Sequence, residues 1–145
     1  MSGKEEKKTE KKENENFATG KRRKAVARAS IRPGTGVITL NSMPIDDIKN
    51  QTVRLLLHEP LSLVGDAWKK FNIKVSTNGG GTLGQAQAAR QSIAKCLADA
   101  LGDEAKAIFM AYDRNMLAYD PRRTEPHKSP RSSQGPRRYK QRSKR

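Results

Sequence analysis

A chain of 145 residues with one cysteine and a formal net charge of +15 has room for one ordinary domain, cannot close an internal disulfide, and favours polyanions as its partner class. No stretch approaches the ~20 apolar residues of a membrane span, and the N-terminus offers no apolar run for a signal peptide. The expectation is a soluble, cytoplasmic protein in a reducing compartment.

The charge is unevenly spread. Residues 21–32 hold six cations and no acid, residues 121–145 hold ten cations with Glu125 as the one acid, and residues 33–120 hold nine of each sign. Residues 1–16, a Lys/Glu alternation with Met1 as the one hydrophobic side chain, cannot repay the entropy of ordering and are expected to be disordered. A globular domain is expected over 17–120 and an extended basic arm over 121–145.

In "AVARASIR" the apolar Ala25, Ala27, Ala29 and Ile31 alternate with Arg28, Ser30 and Arg32, the pattern of a half-buried strand. Arg22 and Lys24 fall in register with the basic outer face. "PGTG" reads as a tight connection into "VITL", giving a first hairpin, and Asn41-Ser42 closes that second strand. From Ile45 to Glu59 apolar residues Ile45, Ile48, Leu55 and Leu56 recur near helical spacing, with Pro44 and Pro60 as punctuation, so a helical hairpin or broken helix is expected. "FNIKVSTN" alternates cleanly and is a third strand.

After "GGGTLG", the stretch "QAQAARQSIAKCLADAL" puts Ala86, Ala89, Ile93, Cys96, Leu97, Ala100 and Leu101 on one stripe, with Gln87, Arg90, Gln91 and Asp99 away from it, as an amphipathic helix requires. Gly102 ends that helix and Asp103 is placed to cap another, whose Leu101, Ala105, Ile108 and Tyr112 face one way. Beyond Asp120 there is no Leu, Ile, Val, Met or Phe, and four prolines interrupt the backbone, so this segment cannot pack a core.

"GGGTLG" fits the dinucleotide fingerprint as Gly79, Gly81 and Gly84, but a second strand ending in an acid is missing. As a P-loop it carries Gln85 and Ala86 where the phosphate-binding Lys and the magnesium-binding hydroxyl belong. Two readings remain: a backbone phosphate contact at an open helix N-terminus, or a turn that needs glycine for positive φ angles. His58, His127 and Cys96 form no catalytic or metal-ligating set, and Asp46-Asp47 and Asp103-Glu104 suit helix starts. No cofactor and no metal are expected.

A solvated surface interleaves charges, whereas the two basic segments nearly exclude acids. Flexible Arg/Lys binds phosphates by counterion release, and an arm with Tyr139 and guanidinium planes suits irregular RNA with unpaired bases. The residues alone therefore point to an RNA-binding α+β domain with an arginine-rich arm.

Four ordered blocks, "GKRRKAVARASIRPGTGVITLN", "NGGGTLGQAQAARQSIAKCL", "YDRNMLAYDPRRTEPHK" and the terminal "RSKR", resemble the ninth small-subunit ribosomal protein family, in its archaeal and eukaryotic branch. The resemblance implies a fold of the ribosomal-S-five-second-domain type: a mostly antiparallel sheet, helices on one face and a left-handed βαβ crossover. It implies a structural, non-enzymatic role in the head of the small ribosomal subunit, beside neighbouring head proteins. Ribosomal RNA would be bound by Lys21, Arg22, Arg23, Lys24, Arg28 and Arg32, by Gly80, Gly81, Gln85 and Arg90 of the glycine block, and by Arg114, Arg122, Arg123, His127 and Lys128. Along the arm Arg131, Arg137, Arg138, Tyr139, Lys140 and Arg142 would continue the contact. Ser143, Lys144 and Arg145 match the family's terminal residues and would approach transfer RNA at the peptidyl site. A nucleotide-binding enzyme built on the glycine loop and a histone-like compactor of DNA are the competing readings.

Overall fold

The computed structural model describes residues 16–126. The expected N-terminal extension and most of the expected arm lie outside the described residues. Five strands form one sheet: β1 (Asn16–Arg22), β2 (Ala25–Pro33), β3 (Ile38–Leu40), β4 (Met43–Pro44) and β5 (Phe71–Asn78), in the spatial order β1-β2-β5-β3-β4. All pairings are antiparallel except β3 with β5. With the helices α1 (Gln51–Val64), α2 (Thr82–Leu101) and α3 (Asp103–Tyr112), the architecture is α+β with a mostly antiparallel sheet.

β1 has no hydrophobic alternation to announce it. Its inward residues Ala18 and Gly20 are small because α2 lies against them, whereas the outward Phe17 is 70% exposed. β2 alternates as expected, with Ala25, Ala27, Ala29 and Ile31 buried and Arg28 and Arg32 exposed. One placement is corrected: Arg22 pairs with Ala25 across the hairpin, and cross-strand partners share a face. Arg22 therefore stands on the helix side, not in the outer basic stripe, and Lys24 lies in the turn.

The "PGTG" hairpin is also corrected. β5 sits between β2 and β3, so the connection must span two strand spacings, about 10 Å, rather than reverse the chain tightly. β5 and the residue just before it hold that crossing in place: Gly34 N–H donates to the Lys70 carbonyl at 2.8 Å, and Asn72 Oδ1 accepts from the N–H groups of Thr35 and Val37 at 2.9 and 3.0 Å. Asn41-Ser42 does close β3, as a two-residue turn into β4 with φ of 49° and 70°.

The expected broken helix resolves into a single 3-10 turn (Ile45–Asp47) followed by α1, which Asn50 caps by accepting from the N–H groups of Thr52 and Val53. Pro60 does not stop α1. It lies inside the helix, where its missing N–H forfeits one backbone bond and the burial of its ring against the core offsets the loss. The buried face is Val53, Leu57, Pro60 and Leu61, so Leu55, 62% exposed, is not a core residue.

α2 follows the expected stripe, with Ala86, Ala89, Ile93, Cys96 and Leu97 buried and Ala100 and Leu101 half-buried at its end. Gln91 is buried, contrary to expectation. Gly102, at φ 86°, ends α2 and itself stands at the N-cap of α3; Asp103 makes no capping bond and pairs instead with Lys106 at 3.2 Å. The phase of α3 also differs, since Ala105 and Phe109 are buried while Ile108 and Tyr112 are exposed. α2 packs over β1, β2 and β5, and α1 and α3 pack on α2. Full burial of side chains such as Ile73, Ile93, Leu97 and Phe109 contributes about 1.5–3 kcal/mol each. The opposite face of the sheet carries the exposed Phe17, Arg28, Arg32, Lys74 and Ser76.

Candidate nucleic-acid interface

β2 is hydrogen-bonded to β1 on one side and β5 on the other, with Val26 opposite Asn78. The β1–β2 turn, Arg23 and Lys24, therefore lies beside the chain that leaves β5. That chain is the glycine block: Gly79 and Gly80 have φ of 75° and 68°, and a Cβ on Gly79 would meet the Lys24 carbonyl oxygen at 2.5 Å. Gly81 stands at the N-cap of α2 with extended backbone, no side-chain cap, and open space where a Cβ would go. The N–H groups of the first turn of α2 have no partner within the helix. Gln85 turns its side chain back, Nε2 donating to the Gly79 carbonyl at 3.1 Å.

These parts enclose a concavity of about 400 Å³ lined by Arg22, Arg23, Lys24, Ala25, Gly80, Gly81, Leu83, Gly84, Gln87 and Thr124. No acid lines it. Exposed Arg/Lys heads beside an open helix N-terminus form an anion site in which charge and backbone donors act together. Arg23 and Gly81, about sixty residues apart in sequence, thus meet in one site.

Other expected contacts lie elsewhere. Arg90 is committed within the protein: Nη2 donates to Glu59 Oε1 at 2.8 Å and to Asp113 Oδ2 at 3.1 Å, and Nε lies 2.6 Å from Glu59 Oε2 without the alignment of a hydrogen bond. Arg22 pairs with Asp120, whose Oδ1 also accepts from the Arg122 N–H at 3.0 Å. That amide above all, with the Arg22 guanidinium, holds the Asp120 carboxyl below the usual range. Burial acts to raise Asp113, but the Asn115 N–H and the Arg90 charge outweigh it, and its carboxyl too lies below the usual range. Arg114 is exposed on the 3-10 turn Arg114–Met116, and Arg123 donates to the Tyr119 hydroxyl. Arg28 and Arg32 lie on the open sheet face. Lys21 gives its backbone N–H to Gln91 Oε1 at 2.8 Å. His127, Lys128, Arg131, Arg137, Arg138, Tyr139, Lys140, Arg142, Ser143, Lys144 and Arg145 lie outside the described residues.

Two contributors escape a sequence reading. Gln91 donates Nε2 to the carbonyls of Asn115 (3.2 Å) and Ala118, and with Arg22 and Asp120 it fastens the segment leaving α3 across α2, so that Thr124 reaches the concavity. Lys74 joins the open sheet face from β5. Burial lifts the Cys96 thiol to about 11, the Ala18 backbone opposing, which suits a core residue and not a nucleophile. Among the described residues no cluster of His, Cys, Asp or Glu could hold a metal ion, and no helix is long and apolar enough to cross a membrane.

The sequence pattern of the family described as ribosomal protein S9/S16 matches residues 20–145. The chain belongs to the ribosomal protein S9/S16 family. It is 41% identical over 125 residues to the small ribosomal subunit protein uS9 of Methanococcus vannielii, covering 86% of this chain and 93% of that one. Over 112 residues it is 43% identical to the uS9 of Desulfurococcus amylolyticus, covering 77% and 80%. A uS9 of Methanococcus maripaludis is 39% identical over 125 residues. The S9/S16 match contains the whole concavity, from the Arg23–Lys24 turn through the glycine block to Thr124. S9/S16 proteins are structural constituents of ribosomes and not enzymes.

Proposed function

We propose that this chain is a structural constituent of the small ribosomal subunit, in the cytoplasm, that binds ribosomal RNA in the subunit head beside neighbouring head proteins. The observation that carries the reading is the concavity, lined by no acid among the described residues, in which Arg23 and Lys24 flank the open N-terminus of α2. Arg28, Arg32, Arg114, Arg122 and Arg123 extend the basic surface, whereas Arg22, Gln85 and Arg90 support it from within through bonds to the protein itself. The ten cations after residue 120 form an arm that neutralises further phosphates, and its end, Ser143, Lys144 and Arg145, approaches transfer RNA at the peptidyl site. The parallel β3 and β5, joined through α1, form the left-handed crossover of the ribosomal-S-five-second-domain type.

A salt series of binding to the small-subunit head RNA, against an unrelated structured RNA, tests the first part. A preference for the head RNA is expected, and each lost phosphate contact should make the salt slope shallower by about one unit. Equal affinity for both RNAs would reduce the function to non-specific polyanion binding. Deleting Ser143, Lys144 and Arg145 should spare incorporation into subunits and weaken transfer RNA at the peptidyl site; unchanged transfer RNA affinity removes that contact.

A further inference from the structure

The helices cover one face of the sheet, and among the described residues no element covers the other. Register fixes what stands there. Phe17 pairs with Ser30, Ser30 with Lys74, and Lys74 with Thr39, so one rung across four strands runs aromatic, hydroxyl, cation, hydroxyl. The next rung carries Thr19, Arg28 and Ser76. Together with Asn41 and Ser42, the first rung and Arg28 and Ser76 line an open groove of about 570 Å³ to which no acid among the described residues contributes.

The groove does not end at the sheet. Arg28 and Ser76 also line a smaller depression of about 320 Å³ with Lys24 and Gly79, and Lys24 in turn lines the concavity at the glycine block. A continuous basic track therefore leads from the N-terminus of α2, past Lys24, Arg28 and Lys74, to Phe17.

We infer that this track holds an unpaired RNA strand, its phosphates on Lys24, Arg28 and Lys74 and a base stacked on Phe17. The inference rests on the RNA-binding reading above and adds the single-stranded class of the ligand. Charge complementarity selects a polyanion, and the shape selects a single strand: an open sheet face with an aromatic ring at its edge offers a stacking surface that a duplex, whose bases are already stacked, cannot use. Hydroxyls and the Asn41 amide between the cations supply donors and acceptors for sugar and base edges.

The test uses the full chain with two probes, a short unstructured uridine oligomer and a fully paired RNA hairpin, across a salt series. Phe17→Ala should weaken the uridine oligomer about 5- to 150-fold with an unchanged salt slope. Phe17→Tyr should retain binding, and neither should alter the hairpin. Lys74→Gln should make the oligomer's salt slope shallower by about one unit. The double variant Arg23→Gln, Lys24→Gln should weaken the hairpin as well. If Phe17→Ala and Lys74→Gln both bind the oligomer as the parent does while the double variant loses hairpin affinity, the sheet track is wrong and the RNA-binding reading stands. If the parent binds neither probe, both fall. A dimer in sedimentation that Phe17→Ala dissociates would assign the face to a second copy and overturn the inference.

Discussion

Gly20 lies so close to Ala88 that a Cβ on Gly20 would sit 2.0 Å from the Ala88 carbonyl oxygen and 2.8 Å from the Ser92 nitrogen. Both atoms belong to the backbone of α2, which cannot step aside without lifting off β1. Gly20→Ala should therefore destabilise the fold by at least the ~1–3 kcal/mol of ordinary overpacking. A denaturant midpoint equal to the parent's would mean that the helix sits further from the sheet.

The same contact explains what could be read from the sequence. β2, β5 and α2 are legible because each carries a clear apolar alternation or repeat that turns to the core. β1 is not, because the close approach of α2 leaves room only for Ala18 and Gly20 on its inner side. Pairing order is equally hidden: nothing local in "PGTG" indicates that β5, more than thirty residues later, inserts between β2 and β3. The basic stretch and the glycine block were each visible as candidates; their meeting depends on that pairing. The partners of Arg22 and Arg90 are hidden too, because sequence does not show that Asp120, Glu59 and Asp113 come to face them.

Arg90 joins α2 to Glu59 of α1 and to Asp113 at the end of α3, with only 19% of its side chain exposed. Arg90→Ala strands two carboxylates beside each other. The expected loss is about 1.5–3 kcal/mol, the range of hydrogen bonds to charged groups, and is read from chemical unfolding. A change confined to RNA affinity, with stability intact, would give Arg90 an external role instead.

Asp113 and Asp120 have folded-state carboxyls below their ordinary value of 3.8. Between the folded and unfolded values the unfolded chain binds more protons, so stability rises with pH there. Their contribution is fully present above the unfolded value and is lost as pH falls through the folded one. Unfolding midpoints measured downward from pH 5 should fall, and Asp113→Asn with Asp120→Asn should flatten that acid limb. An acid limb unchanged in the double variant would place the sensitivity elsewhere.

Ser42 occupies the left-handed region at φ 70° in the turn that joins β3 to β4. Two-residue turns with positive φ at both positions favour Asn-Gly, and this one is Asn-Ser. Ser42→Gly relieves about 1–2 kcal/mol of left-handed strain against an entropic cost of about 0.5–1 kcal/mol for glycine. A net gain of up to about 1.5 kcal/mol is expected in thermal or chemical unfolding.

The three glycines at 79–81 separate a turn from a phosphate cradle. Gly79 and Gly80 need glycine for the fold, since both have positive φ, and a Cβ would lie 2.5 Å from the Lys24 oxygen in the first and 3.0 Å from the Ala25 Cβ in the second. Gly79→Ala should destabilise by about 1–3 kcal/mol. Gly81 has no such need: its backbone is extended and a Cβ would meet nothing within 4 Å. Gly81→Ala should leave stability within about 1 kcal/mol of the parent's. If the first turn of α2 binds a phosphate, the added methyl stands between the ligand and the free N–H groups. Affinity for the head RNA should then fall about tenfold, the loss of one charge-assisted hydrogen bond of about 1.5 kcal/mol, with the salt slope preserved because no cation is removed. A stable Gly81→Ala protein with full RNA affinity would make the glycine block a turn alone, and would leave Arg23 and Lys24 as the whole of the anion site.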